Sequence, residues 1–175
     1  MLFRSGPVLP VFVQSPEDDG EWRGGTAYRW WLRRSLERLD EDFRKRGSSL
    51  IVLRGPTIPA LDRLFRKTGA RRLFWGRCYA PSAVALERQL REHCAHENLE
   101  AVCFESTLLS ASRIVTLSGS PFQKFTPFYK KFLSEAAIDT PGASPRKLPF
   151  TGQTFASETS RVLKSEEHTS ELQSH

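Results

Sequence analysis

The chain has 175 residues, 39% of them apolar and 26% charged, with a formal net charge of +6. That is the composition of one globular domain with an ordinary core, and it excludes a chain disordered throughout. The longest apolar runs fall far short of the roughly 20 residues of a spanning helix, and Met1-Leu2-Phe3-Arg4 does not open a secretory signal, so no membrane partner and a cytoplasmic location are expected.

The positive charge is unevenly placed. Residues 162–175 hold Lys164 against Glu166, Glu167 and Glu171, a balance of −2, so the rest of the chain carries +8. This is compatible with nucleic acid as a partner, although an Arg-rich helix such as 29–46 is more often simply solvated. Cys78, Cys94 and Cys103 form no CxxC pair and read as reduced thiols. His93 and His96 flank Cys94 on a charged helix, and without further ligands nearby they read as a solvated face rather than a metal site.

In chain order, residues 6–13 (GPVLPVFV) are a near-continuous apolar run, the pattern of a strand buried on both faces of a parallel sheet. A polar loop, residues 15–20, follows. From Thr26 to about Arg46, Tyr28, Leu32, Leu36, Leu39 and Phe43 recur at helical spacing, and Gly47 ends the helix. Residues 49–54 predict a second strand, broken by Gly55-Pro56. Ile58 to Lys67 predicts a helix with Leu61, Leu64 and Phe65 on one face, and Arg72 to Trp75 a third strand. Pro81 suits a helical first turn, and Ala83, Leu86, Leu90 and Cys94 mark the helix that ends near Asn98. Glu100 to Phe104 is a fourth strand. Residues 115–122 read as a loop or short hairpin, Phe125 begins another helix, and the Pro- and Gly-bearing stretch beyond Glu135 reads as a linker.

The alternation of strand and helix predicts an α/β fold with a doubly wound, Rossmann-like parallel sheet. Any ligand is then expected beyond the carboxyl ends of the strands, at residues 13–16, 54–56, 75–79 and 104–107.

Three stretches, covering about residues 6–150, resemble the DNA photolyase and cryptochrome family. The apolar run to Val13 followed by Gly24-Gly25-Thr26-Ala27-Tyr28-Arg29-Trp30-Trp31-Leu32 is similar to the family's strand, acidic loop and Arg-Trp-Trp-Leu helix. Trp75-Gly76-Arg77-Cys78-Tyr79-Ala80-Pro81 is similar to a family segment reading Trp-Asn-Arg, one variable residue, then Tyr-Glu-Pro. The most specific is Gly119-Ser120-Pro121-Phe122-Gln123-Lys124-Phe125-Thr126-Pro127-Phe128, close to Gly-x-Pro-(Tyr/Phe)-x-x-Phe-Thr-Pro-Phe. Taken singly, Trp30, Trp31, Phe125 and Phe128 would read as core residues; their joint order and spacing carry the resemblance.

The resemblance implies an amino-terminal domain that holds a light-harvesting antenna chromophore, followed in the family by a larger helical domain. That second domain holds FAD, whose excited reduced form donates an electron to a cyclobutane pyrimidine dimer flipped out of DNA. It thus implies a fragment of a blue-light-dependent photolyase, a carbon–carbon lyase acting as a monomer on damaged DNA, or of a signalling cryptochrome; a free-standing nucleotide-binding module is a third possibility. The chain alone is not expected to be catalytic. By position, the antenna-binding candidates are Val13, Gln14, Ser15, Arg29, Trp30, Arg77 and Tyr79. The chain departs from the family in three places. Ala80-Pro81-Ser82-Ala83 has no carboxylate for a pterin, which weighs against reduced folate and leaves a deazaflavin, a flavin or an empty site. Gly76 stands for Asn, and Leu86-Glu87 for Arg-Asp.

Three segments are expected: an α/β domain over residues 1–133, an interdomain linker over 134–164, and a non-native tail over 165–175. The tail, Ser165 to His175, can be encoded by TCG GAA GAG CAC ACG TCT GAA CTC CAG TCA C, which resembles a sequencing adapter read in frame, so His168 and His175 are left out of any site. Family members begin with a further strand and helix; without that strand, a sheet of order 3-2-1-4-5 lacks its centre and exposes two inner edges.

Overall fold

A computed structural model of the chain describes residues 7–20, 24–105, 114–135 and 142–149. The predicted tail and most of the predicted linker lie outside these residues. The chain divides into two compact units, residues 1–70 with 144–175, and residues 71–143.

In the first unit, β1 (Val11–Gln14) and β2 (Ile51–Arg54) pair in parallel, Val11 opposite Ile51 and Gln14 opposite Arg54. The helix α1 (Thr26–Lys45) makes the crossover between them. β1 begins five residues later than the apolar run predicts. Pro7 and Pro10 have no N–H to give a ladder, so the run enters as extended chain and pairs only from Val11. Val8 N donates instead to Pro149 O at 3.2 Å, and Leu148 N to Arg46 O at 2.9 Å, so the described end of the predicted linker lies against this unit.

Leu36, Leu50 and Val52 form the core, with Phe12, Leu32 and Phe43 packed on it. The apolar stripe of α1 is therefore narrower than its periodicity suggests, since Tyr28 and Leu39 are exposed. The row 32-36-43 faces the strands, and position 40 in that row is an aspartate. Asp40 is buried: Oδ1 accepts from Leu50 N at 2.9 Å and Oδ2 from Arg44 Nε at 2.8 Å. The turn after α1 places Gly47 at φ +81°, the left-handed conformation that glycine adopts without strain. The helix α2 (Thr57–Thr68) buries Ala60, Leu61 and Leu64 and stops at Gly69, φ +69°.

In the second unit, β3 (Arg72–Gly76) and β4 (Glu100–Phe104) pair in parallel, Arg72 opposite Glu100 and Gly76 opposite Phe104. Their crossover is α3 (Pro81–His96), which buries Leu90 and Cys94 and has proline at its start. Asn98 takes the left-handed position after the helix at φ +55°, and Leu99 N returns to Cys94 O at 2.8 Å. Phe74 and Phe104 stack across the pair at 6.2 Å. Residues 116–120 close as a turn, with Thr116 N donating to Ser120 O. The helix α4 (Phe125–Glu135) has no buried residue. Phe122, Phe128 and Phe132 make one aromatic row, while Phe125, Tyr129 and Leu133 form an exposed stripe at i, i+4, i+8.

Among the described residues no ladder joins the two strand pairs. Each pair is parallel and joined by a crossover helix, so the fold is a partial Rossmann-like α/β fold with short parallel sheets. No helix among the described residues is long and apolar enough to cross a membrane.

Candidate functional site

Parallel βαβ units direct ligands to the carboxyl ends of their strands, because the following loops and helix N-termini open there. In the first unit this end is polar and internally bonded. The last residues of β1 and β2 face each other, and Arg54 Nε donates to Gln14 Oε1 at 3.2 Å. Gly55 N donates to Gln14 O at 3.1 Å, and Arg63 reaches back to Arg54 O. Ser15 is buried, its hydroxyl donating to Glu17 at 3.4 Å. Asp18 then accepts the Thr57 N–H through Oδ2 at 2.8 Å. Burial pushes the Asp18 carboxyl up, but hydrogen bonds from Thr57 and Ser15 outweigh it and hold the group below its ordinary range.

Of the sequence candidates in this unit, Val13, Gln14 and Ser15 therefore sit together at the strand end. Arg29 and Trp30 lie in the first two turns of α1, where both are exposed. The Arg29 guanidinium donates to the Thr26 hydroxyl at 3.5 Å. Trp30 is 59% exposed, with the Arg34 guanidinium 5.9 Å from its ring centre. Gly24 is fixed by the same aromatic turn: a Cβ there would stand 2.0 Å from Cδ1 of Tyr28.

In the second unit the chain leaves β3 through Arg77, whose N–H extends the ladder to Phe104 O at 2.8 Å. Its guanidinium bridges Glu105 at 2.8 Å and Glu87 at 3.4 Å. Glu87, from α3, also accepts from Arg91 Nε at 3.0 Å and from the Cys103 thiol at 3.6 Å. Burial raises the Glu87 carboxyl, and the bonds from Arg91 and Arg77 outweigh it, so it stays ionised to lower pH than a free glutamate. The hydrogen bond to Glu87 correspondingly raises Arg77. Arg91 also stacks over Trp75, 5.3 Å from its ring centre. Tyr79 is partly exposed just beyond.

Arg77 is thus held by two carboxylates of its own unit. Glu87 is the residue the sequence missed. Noted only as a departure from Arg-Asp, it keeps a carboxylate at the centre of this cluster, and the one local sign of it was the i, i+4 spacing to Arg91. Asp18 and Thr57 were missed too, because their meeting with the strand end at Arg54 depends on the strand register. Among the described residues no group of three or more His, Cys, Asp or Glu side chains is placed to hold a metal.

These features define a class: a Rossmann-like α/β fold with polar clusters at the strand ends and an aromatic, arginine-rich first crossover helix. The DNA photolyase family model matches residues 3–147, and the chain belongs to that family, whose matching members include photolyases and cryptochromes. It is 32% identical over 144 residues to the deoxyribodipyrimidine photo-lyase of Agrobacterium fabrum, covering 82% of this chain and 29% of that protein. It is also 32% identical over 133 residues to cryptochrome-1 of Arabidopsis thaliana, covering 75% of this chain and 20% of that one. Among solved structures, a bacterial class III photolyase from Agrobacterium tumefaciens superposes with a TM-score of 0.75 at 28% identity, over 87% of this chain and 32% of the other. An archaeal photolyase from Sulfolobus tokodaii, solved with two FAD molecules, shares the fold with a TM-score of 0.64 at 23% identity. The chain therefore spans under a third of the length of these relatives.

Proposed function

We propose that the chain is the antenna-bearing α/β part of a blue-light-dependent deoxyribodipyrimidine photolyase, whose whole protein repairs cyclobutane pyrimidine dimers in DNA with FAD. The family match over residues 3–147 is the observation that carries this reading. The polar strand ends, where such folds hold ligands, support it. The domain then runs over 1–133, with a linker over 134–164 and a non-native tail over 165–175. The parent is a monomeric cytoplasmic protein with damaged DNA as partner, and this chain by itself is not catalytic.

Val13, Gln14, Ser15, Arg29, Trp30, Arg77 and Tyr79 remain the proposed chromophore contacts. Arg29, Trp30 and Tyr79 present exposed surface, and the Arg77 guanidinium is held in place by Glu87 and Glu105. A deazaflavin or a flavin fits this set better than a reduced folate, since no carboxylate stands at the start of α3, where Ala80 and Pro81 precede the first turn. A cryptochrome parent is the second reading, favoured by the equal 32% identity to the Arabidopsis cryptochrome.

Gel filtration of the chain with FMN, FAD, 8-hydroxy-5-deazaflavin or methenyltetrahydrofolate tests the antenna reading: a flavin or deazaflavin should co-elute, and retention of folate alone would reject that assignment. The chain should repair no thymine dimers in blue light. The uninterrupted natural reading frame should do so; retained FAD without repair would favour the cryptochrome.

A further inference from the structure

The amino end of α2 is closed by a side chain from elsewhere in the chain. Pro56 precedes the helix and makes no side-chain cap, so its first amides would otherwise lack acceptors. Asp18, thirty-nine residues earlier, supplies one, with Oδ2 at 2.8 Å from Thr57 N. The loop that carries it leaves β1 at Gln14 and is folded on itself: Asp18 N donates to Ser15 O at 3.1 Å, and buried Ser15 bonds to Glu17. It therefore spans from the end of β1 to the start of α2.

A helix N-terminus that follows a parallel strand is where α/β folds commonly seat a phosphate, because free N–H groups and the helix dipole both favour an anion. Here a carboxylate of the chain itself takes that place. We propose that Asp18 is an internal anion that closes the α2 N-terminus to phosphate and latches the loop of residues 15–20 between the end of β1 and the start of α2. A phosphate oxygen accepting from Thr57 would have to occupy the position of Asp18 Oδ2. An incoming anion would also meet the like charges of Glu17 and Asp19 in the same loop. A ligand on this face is consequently held through its rings, hydroxyls or amines rather than by a phosphate at α2. The closure rests on the Asp18–Thr57 bond and not on the antenna reading, so each can fail without the other.

The test uses the whole chain, with Asp18→Ala and Thr57→Pro as variants. Proline is well suited to the first helical position, and Pro56 already has the extended ψ of 134° that a following proline requires, so Thr57→Pro removes the donor while sparing the helix. Hydrogen exchange read by mass spectrometry, with residues 51–53 as the control for folding, should show residues 15–20 exchanging about tenfold faster in both variants. Inorganic phosphate should slow exchange at the start of α2 in Asp18→Ala and leave the wild type unchanged. If Asp18→Ala does not fold, Thr57→Pro decides the latch, and Asp18→Ser replaces it in the phosphate titration. Wild-type exchange rates in a folded variant overturn the latch. Equal phosphate protection of wild type and the Asp18 variant, or none in that variant, overturns the closure.

Discussion

Two carboxylates, buried Asp40 and partly buried Glu87, organise the units at the scale of single residues, and both do so by serving groups distant in sequence. Asp40 gives the Leu50 N–H its acceptor at the start of β2. Replacing it by alanine removes that acceptor inside the core, a loss of about 1–3 kcal/mol. Asp40→Asn keeps an acceptor and should lose less; urea denaturation of the pair measures the difference. Glu87 offers a pH test. Its carboxyl is held below the ordinary range in the folded chain, with burial opposing and the Arg91 and Arg77 bonds prevailing. The stability it contributes is therefore complete above that range and lost as pH falls through the lowered folded value. Glu87→Gln should flatten this acid dependence in thermal melts; an unchanged profile would show that the cluster contributes no such linkage.

Residue types in a row did not reveal these roles. The helical spacing of α1 was legible, yet Asp40 interrupts its buried row and was readable only as one more charge. Arg77 was legible as part of a motif, but its two carboxylates come from α3 and from the residue after β4.

At the scale of elements, the short strand β1 is the most revealing. Its residues Val11, Phe12 and Val13 are apolar on both faces, as in an interior strand, yet they and Gln14 are only partly buried, whereas Ile51, Val52 and Leu53 of β2 are buried. Pro10 O and Gln14 O accept from β2, so by the alternation of a parallel ladder the N–H and C=O of Val11 and Val13 face the other edge. No strand among the described residues pairs there. An apolar, uncharged edge of this kind templates association. Val13→Pro removes an outward N–H without touching the β2 ladder and should lower light scattering at equal concentration while far-UV circular dichroism is kept. Unchanged scattering would place self-association elsewhere, with the Phe125, Tyr129 and Leu133 stripe of α4 as the next candidate.

The helices were the better-predicted elements. Thr57–Thr68 and Pro81–His96 fall within two residues of expectation because Gly69, Pro81 and Asn98 act locally at their ends. The first strand was mis-bounded since apolarity continues through Pro7 and Pro10, which give a ladder no N–H, while the Val8 N–H is taken by Pro149 O.

For the whole molecule, each of the two compact units is expected to melt as its own body. Urea unfolding should show two transitions. The Asp40→Ala variant should move the one sensed by exchange at residues 50–53, and a Glu87→Ala variant the one sensed at residues 100–104. A single transition displaced equally by both would show that the units unfold together.

Sequence by itself determined the order of elements, the parallel class of sheet and, through three motifs, the family, since each rests on local spacing or on residue order. Tertiary structure alone decided which charges are spent internally, that β1 pairs only with β2 among the described residues, and that Asp18 sits on the Thr57 amide. Those outcomes depend on strand register and on contacts between residues ten to forty positions apart, which no local pattern encodes.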